Sequence, residues 1–198
     1  HDLRVLDLES GKERRITEGG AEHLTHGLAE FVAQEEMGRM SGWWWSPDGQ
    51  QLAYEEADSR GVETWWVADP ARPGQPPHAA RYPRPGHANV VVRLGVVSAR
   101  GGETVWARWD ARRYEYLTQV RWEAHGPLTI AVQTRDQREV ALLSVDAETG
   151  ETTRLLVEKD PAWMPVKRDV PRWVGPREGF VWWREVGGQR RLELRAPD

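Results

Sequence analysis

Short stretches of alternating or β-branched residues recur along this chain, and turn residues interrupt them about every 8 to 12 residues. Val, Ile, Tyr and Trp favour extended backbone, whereas Gly, Pro and Asp favour turns. The pattern predicts an all-β fold of the sandwich, barrel or propeller type. The clearest stretches are Gln51–Tyr54, Val90–Leu94, Thr104–Trp109, Leu128–Val132 and Val140–Val145.

Two repeated units narrow this choice. The first is an aromatic residue, a turn and an apolar strand, and it begins at Trp45, Trp122 and Trp173. The second is a strand, an acidic turn and a strand, over residues 6–16 and 145–156. The units alternate along the chain, as the two hairpins of a four-stranded propeller blade would. We therefore predict a partial β-propeller, with the end of one blade, two complete blades and most of another.

Two segments do not fit the regular strand pattern. The Trp45 and Trp122 units are farther apart than the Trp122 and Trp173 units, which predicts an insertion in the first complete blade. The stretch Ala68–Gly86 contains six prolines, and we expect it to be an extended excursion from the sheet. The stretch Gly27–Met40 has helix-favouring residues between two glycines, which predicts one to three helical turns.

Composition excludes several classes of function. The net charge of −4 is spread along the chain, which argues against nucleic acid or an anionic membrane as the main partner. No apolar run approaches the roughly 20 residues that a membrane-spanning helix needs. Cysteine is absent, so the chain has no disulfide or thiolate metal site, and this leaves its cellular compartment open. We expect no cofactor or metal, because His23 and His26 have no second ligand cluster at suitable spacing.

Four motifs follow one another in a specific order: Leu24–Gly27, Phe31–Glu36, Trp43–Gly49 and Leu52–Tyr54. In this order they resemble the N-terminal propeller of the dipeptidyl peptidase IV branch of the prolyl oligopeptidase family of serine peptidases. Segments near Arg81–Leu94, Tyr116–Trp122 and Phe180–Leu192 extend the resemblance over nearly the whole chain. We therefore expect the blades to be part of a larger ring of eight.

The resemblance implies a role for Glu35 and Glu36. In the family, a pair of glutamates on a short helix inserted in one blade binds the free N-terminus of a peptide substrate. Two carboxylates suit an ammonium group, which carries a positive charge and three hydrogen-bond donors. Adjacent glutamates alone are usually part of a solvated surface, so the surrounding motif carries this inference. Ala33 and Gln34 depart from the family, which often has an aromatic residue and a third glutamate here, so local packing or substrate preference is expected to differ.

The catalytic nucleophile is missing from this sequence. No Gly-x-Ser-x-Gly motif occurs, so the chain alone should not hydrolyse peptides. Since His1 leads directly into a strand-like stretch without an initiator Met, we interpret residues 1–198 as a propeller fragment. The resemblance implies that an α/β-hydrolase domain with the catalytic Ser, Asp and His follows it. An arginine that in the family helps to bind the substrate carbonyl belongs to an earlier blade and has no counterpart here.

The resemblance thus implies the gating and amine-anchoring propeller of a dipeptidyl aminopeptidase, in a family that usually prefers Pro or Ala as the penultimate residue. Its expected partners are peptides with a free N-terminus, the α/β-hydrolase domain and a second copy of the chain. In the family a Pro-rich arm contributes to dimerisation, which makes residues 68–84 the candidate contact. Two alternatives stay open. One is a tripeptidyl or other aminopeptidase of the same family, and the other is a non-catalytic propeller that binds protein or glycan through its exposed aromatic and Pro-rich surface.

Overall fold

The computed structural model describes residues 1–175 and 177–197, and these residues form an almost entirely β structure. It contains sixteen strands and one short helix. All strand pairs are antiparallel. In chain order the elements are β1 Arg4–Leu6, β2 Glu13–Arg15, β3 Leu24–His26, α1 Phe31–Glu35, β4 Trp43–Trp45, β5 Gln51–Asp58, β6 Thr64–Val67, β7 His78–Arg81, β8 Val91–Ser98, β9 Val105–Trp106, β10 Tyr116–Arg121, β11 Leu128–Gln133, β12 Glu139–Val145, β13 Thr152–Lys159, β14 Arg172–Gly175, β15 Gly179–Val186 and β16 Gln189–Arg195.

The strands form successive sheets that follow the order of the chain. Strands β1 and β2 make a hairpin, β4-β5-β8-β9 make the first sheet, β10-β11-β12-β13 the second, and β14-β15-β16 the third. Strand β3 also pairs with β5: β4 pairs with residues 52–54 of β5, and β3 pairs with residues 56–58. The predicted end of one blade, two complete blades and most of another are therefore confirmed.

Hydrophobic clusters fill the spaces between neighbouring sheets. In the second sheet, Ile130 and Leu143 face the first sheet, whereas Ala131 and Leu142 face the third. Successive strand residues point to opposite faces, so apolar residues at consecutive positions allow one sheet to be buried on both sides. The second sheet is accordingly buried on both faces, as a blade inside a stack is.

Tryptophan has two distinct roles in this stack. Trp173 and Trp182 are buried between the second and third sheets, and the Trp173 indole donates a 2.9 Å hydrogen bond to Thr129 Oγ1. Trp65 and Trp66 are instead exposed on the hairpin of β6 and β7. Packing between blades thus explains part of the high tryptophan content, and the exposed indoles need a separate explanation.

The Pro-rich excursion has a structure of its own. Strands β6 and β7 pair from Thr64 with Arg81 to Val67 with His78, so the segment is a two-stranded hairpin, hereafter the arm. The prediction placed the insertion in the correct blade, but it began the excursion at Ala68 and missed these strands. Four of the six prolines lie in the turn between the strands, where no ladder hydrogen bond requires a backbone N–H. No helix in the described part of the chain has the length and apolar character needed to cross a bilayer.

Candidate functional site: the helical insertion

The helix lies in an insertion that interrupts the edge strand of the first sheet. Strands β3 and β4 run along the same side of β5, and residues 28–41 leave the sheet between them. Gly27 N donates to Glu55 O at 2.8 Å, Glu55 N donates to Gly42 O at 2.7 Å, and Gly42 N donates to Gly27 O at 3.0 Å. A Cβ atom on Gly42 would lie 2.9 Å from the Leu28 carbonyl carbon and 3.0 Å from the Glu55 Cβ. The two ends of the insertion therefore meet at the sheet, in a space that suits glycine.

The helix is short and has a defined N-cap. It covers Phe31–Glu35, and the carboxylate of Glu30 accepts hydrogen bonds from Val32 N at 2.6 Å and Ala33 N at 2.8 Å. These bonds satisfy two N–H groups that the first helical turn leaves free. The predicted helix is confirmed, and its length of five residues is at the short limit of the predicted one to three turns.

The Glu pair lies at the C-terminal end of this helix. Glu35 is its last residue and Glu36 is its C-cap, and both side chains are exposed. Within residues 1–175 and 177–197, neither carboxylate makes a hydrogen bond or ion pair, although the Glu36 carbonyl oxygen accepts one from Arg168 Nη2 at 3.2 Å. The two acidic groups are thus available to a ligand.

The opposite face of the insertion packs against the second sheet. Ala29, Ala33 and Met37 are buried in a cluster that includes Tyr116 and Val166. Ala33, which departs from the family pattern, has no exposed surface. This departure therefore affects how the insertion packs on the second sheet. Gln34, the other departure, is half-buried, and its side chain donates to Ala29 O at 2.6 Å.

Two elements flank the helix. Phe31 makes an edge contact with Tyr82, at a ring-centroid distance of 5.3 Å, and Tyr82 follows the arm. Past the C-terminal end of the helix, a Cβ atom on Gly38 would lie 2.8 Å from the Arg168 guanidinium carbon, and Arg168 belongs to the connection between the second and third sheets. A small pocket of about 150 Å³ lies there, next to Met37, Gly38 and Arg168. Sequence reasoning missed Arg168, since nothing in its local sequence indicates a contact more than 130 residues away.

Charged residues are buried beneath the helix. The Glu55 side chain has no exposed surface, its Oε1 accepts a 3.0 Å hydrogen bond from Glu30 N, and its Oε2 lies 2.6 Å from Arg39 Nη2. Burial raises the pKa of Glu55 to about 7, although the positive charge of Arg39 opposes this rise. Burial also raises the pKa of Glu30. Sequence analysis did not identify Glu30, Arg39 or Glu55 as residues of the site. Glu55 and Glu56 form an acidic doublet, which is typical of an exposed strand.

The two histidines considered as metal ligands lie in different surroundings. His26 is buried, with Nδ1 2.8 Å from Asp2 Oδ1 and Nε2 3.2 Å from Glu56 Oε2, so both ring nitrogens face carboxylates. His23 lies beside Glu22 on the surface. Among the residues described, no group of three or more His, Asp or Glu side chains is arranged to hold a metal ion.

Comparison with known proteins agrees with this architecture. Residues 1–198 match the family model of the dipeptidyl peptidase IV (DPP IV) N-terminal region. The chain is 30% identical over 166 residues to the Aspergillus flavus protein named "Probable dipeptidyl peptidase 4", a match that covers 77% of this chain and 21% of that protein. It is 34% identical over 122 residues to dipeptidyl peptidase 8 of Mus musculus, covering 52% of this chain and 14% of that protein.

A solved structure confirms the fold. The structure resembles the crystal structure of Porphyromonas gingivalis dipeptidyl peptidase 4 with a TM-score of 0.82 at 20% sequence identity, over 98% of this chain and 28% of that chain. The predicted β-propeller architecture is therefore confirmed, and this chain spans only about a fifth of the length of its Aspergillus relative. Because the family model matches along its whole length, the chain belongs to the dipeptidyl peptidase IV N-terminal region family.

Proposed function

We propose that this chain is the substrate-gating propeller of a serine-type dipeptidyl aminopeptidase, and that Glu35 and Glu36 bind the free amine of the peptide substrate. The observation that carries the proposal is the Glu pair itself, in which two adjacent carboxylates are exposed and unpaired among the described residues, at the end of a helix whose other face is packed. The relatives named as dipeptidyl peptidases support the same activity.

An amine anchor of this kind determines where a peptide is cut. An ammonium group presents three donors, and two carboxylates can accept them together. If the nucleophile lies at a constant distance from the Glu pair, a peptide is cut a constant number of residues from its N-terminus. A blocked N-terminus is uncharged and too large for the amine site, so it would not bind. The activity would therefore be that of an exopeptidase.

The hydrolytic groups belong, in this proposal, to an α/β-hydrolase domain that follows the propeller in the same protein. The sequence of residues 1–198 has no Gly-x-Ser-x-Gly motif. The propeller would bind the amine, and the hydrolase domain would supply the serine, the histidine and the carboxylate that activate it. We therefore assign no catalytic residue to this chain.

Substitution of the Glu pair tests the proposal. In the full-length protein that carries this chain, Glu35→Gln and Glu36→Gln should each lower kcat/KM for an H-Gly-Pro chromogenic substrate roughly 10- to 150-fold, because each removes a charged hydrogen bond that contributes about 1.5–3 kcal/mol. The N-acetylated substrate should not be cleaved by any variant. Glu22→Gln, at an exposed glutamate outside the insertion, is the matched control and should keep wild-type activity.

Two results would contradict this proposal in different ways. Unchanged kinetics in both variants would show that the Glu pair does not bind the amine. Efficient release of a chromogen from a tripeptidyl substrate, with little from the dipeptidyl one, would keep the anchor and identify the protein as a tripeptidyl aminopeptidase.

We also propose that the protein forms a homodimer through the arm. The arm carries exposed apolar residues, with Trp66 67% and Val67 56% exposed, and such residues are common where proteins associate. Trp66→Ser should shift the full-length protein toward monomer in sedimentation velocity. Trp163→Ser, which removes a similarly exposed indole outside the arm, should leave the dimer intact. A wild-type protein that stays monomeric at high concentration would refute the proposal.

A further inference from the structure

The residues beneath the Glu pair form a connected set of hydrogen bonds and an ion pair. Glu55 lies on β5 between the two glycines at the base of the insertion, and its side chain is fully buried. Its two carboxylate oxygens point to different parts of the insertion. One contacts the segment that leads into the helix, and the other contacts the segment that returns to the sheet.

The first contact continues into the helix. Glu55 Oε1 accepts the hydrogen bond from Glu30 N, and the Glu30 side chain caps the first turn at Val32 and Ala33. A helix of five residues is too short to be stable alone in water, so its position depends on contacts of this kind. The position of Glu35, one turn later, therefore depends on Glu55 through Glu30.

The second contact secures the returning segment. Arg39 Nη2 lies 2.6 Å from Glu55 Oε2 and also donates to Leu117 O at 3.1 Å, on the second sheet. The guanidinium lies 5.5 Å from the centre of the Trp44 ring, in β4, the strand that follows the insertion. Arg39 thus connects the segment after Glu36 to two sheets at once.

We propose that Glu55 and Arg39 are positioning residues for the Glu pair: their buried ion pair joins both segments of the insertion and so holds Glu35 and Glu36 where a substrate amine can contact both carboxylates. This inference rests on the proposed function of the Glu pair. A buried ion pair is often replaceable by apolar residues without loss of stability, so its contribution here is to geometry. An amine anchor requires such geometry, because small displacements of a binding group weaken the contact.

The test separates substrate binding from catalysis in the full-length protein. Glu55→Gln keeps the side-chain size and an acceptor for Glu30 N. In an assay at pH 8, above the pKa of about 7 that burial gives Glu55, it also removes the charge that attracts Arg39. We expect it to raise KM for the H-Gly-Pro substrate roughly tenfold while kcat stays within about twofold. Arg39→Lys, which keeps the charge but loses the planar guanidinium, should give a smaller rise in KM. Because Arg39→Lys preserves the ion pair, it remains informative if the Glu55 variant folds poorly.

A matched control and a second readout identify a purely structural effect. Glu56→Gln changes the next residue of the same strand, whose carboxylate contacts His26 and Arg93 and not the insertion, and it should leave KM unchanged. Labelling of the active-site serine by a fluorophosphonate without an amine should proceed at the wild-type rate in every variant, since this probe does not use the Glu pair.

The outcomes are distinguishable from failure of the proposed function. If Glu35→Gln and Glu36→Gln raise KM but Glu55→Gln and Arg39→Lys do not, the positioning role is wrong and the amine anchor stands. If the Glu55 variant loses fluorophosphonate labelling together with activity, Glu55 supports the whole fold and the positioning role is also overturned. If the Glu35 and Glu36 variants themselves behave as wild type, the proposed function fails and the inference falls with it.

Discussion

Phe180→Ala is expected to lower the free energy of unfolding of this chain by about 3–5 kcal/mol. Phe180 has no exposed surface and lies between the second and third sheets, 5.2 Å from the Trp173 ring centre. Truncation removes a large apolar side chain from a site where the neighbouring residues belong to two separate sheets, which limits how far they can move to close the cavity. Urea unfolding followed by circular dichroism measures the change.

The matched control for this prediction lies on the same sheet. Leu192 is 77% exposed on β16, and Leu192→Ala should change the free energy of unfolding by less than about 0.5 kcal/mol. A loss below about 1 kcal/mol for Phe180→Ala would mean that the third sheet is not packed on the second as described, and that the stack ends one sheet earlier.

The sheets could be predicted from the sequence because their signals are local. Strand β12 is apolar at most positions, as expected for a strand buried on both faces. The acidic turn that begins at Asp146 connects it to β13 in a hairpin. Turn residues and strand patterns lie within one hairpin, so they can be recognised without knowledge of distant contacts. The division into blades followed from repetition of these hairpins.

The interrupted edge strand could not be predicted in this way. β3 and β4 are separated by the whole insertion, and each has only three residues, so neither has a strong strand pattern. Their alignment depends on β5, which pairs with both. A helical segment between two glycines was predictable, but its return to the same strand was not.

The candidate site was predictable only in part, and from a family motif and not from local strand and turn patterns. Glu35 and Glu36 were identified by resemblance to a family motif, and their role as the amine anchor stays a prediction. Glu55 and Arg168 carry no such motif, and what they contact is set by how separate elements pack. Local sequence favours an exposed position for Glu55, and only the insertion above it explains why the residue is buried.

The burial of Glu55 also predicts a dependence of stability on pH. Burial raises the pKa of Glu55 to about 7 in the folded chain, whereas its ordinary value is 4.5. The folded state therefore binds the proton more tightly than the unfolded state does. The stability that this proton contributes is fully present below pH 4.5 and is lost as the pH rises through about 7. The expected loss is about 3 kcal/mol between these limits.

Comparison with Glu55→Gln isolates this contribution, because glutamine stays neutral throughout. The difference in free energy of unfolding between wild type and Glu55→Gln should shift by about 3 kcal/mol in favour of the variant from pH 4.5 to pH 8. Glu139 acts in the opposite direction and at lower pH: partial burial tends to raise its pKa, but hydrogen bonds from Tyr114 and Arg113 outweigh burial and lower the pKa to about 2. A difference that stays constant over this range would show that Glu55 has the same pKa in the folded and the unfolded chain, and that Arg39 compensates the cost of burying its charge.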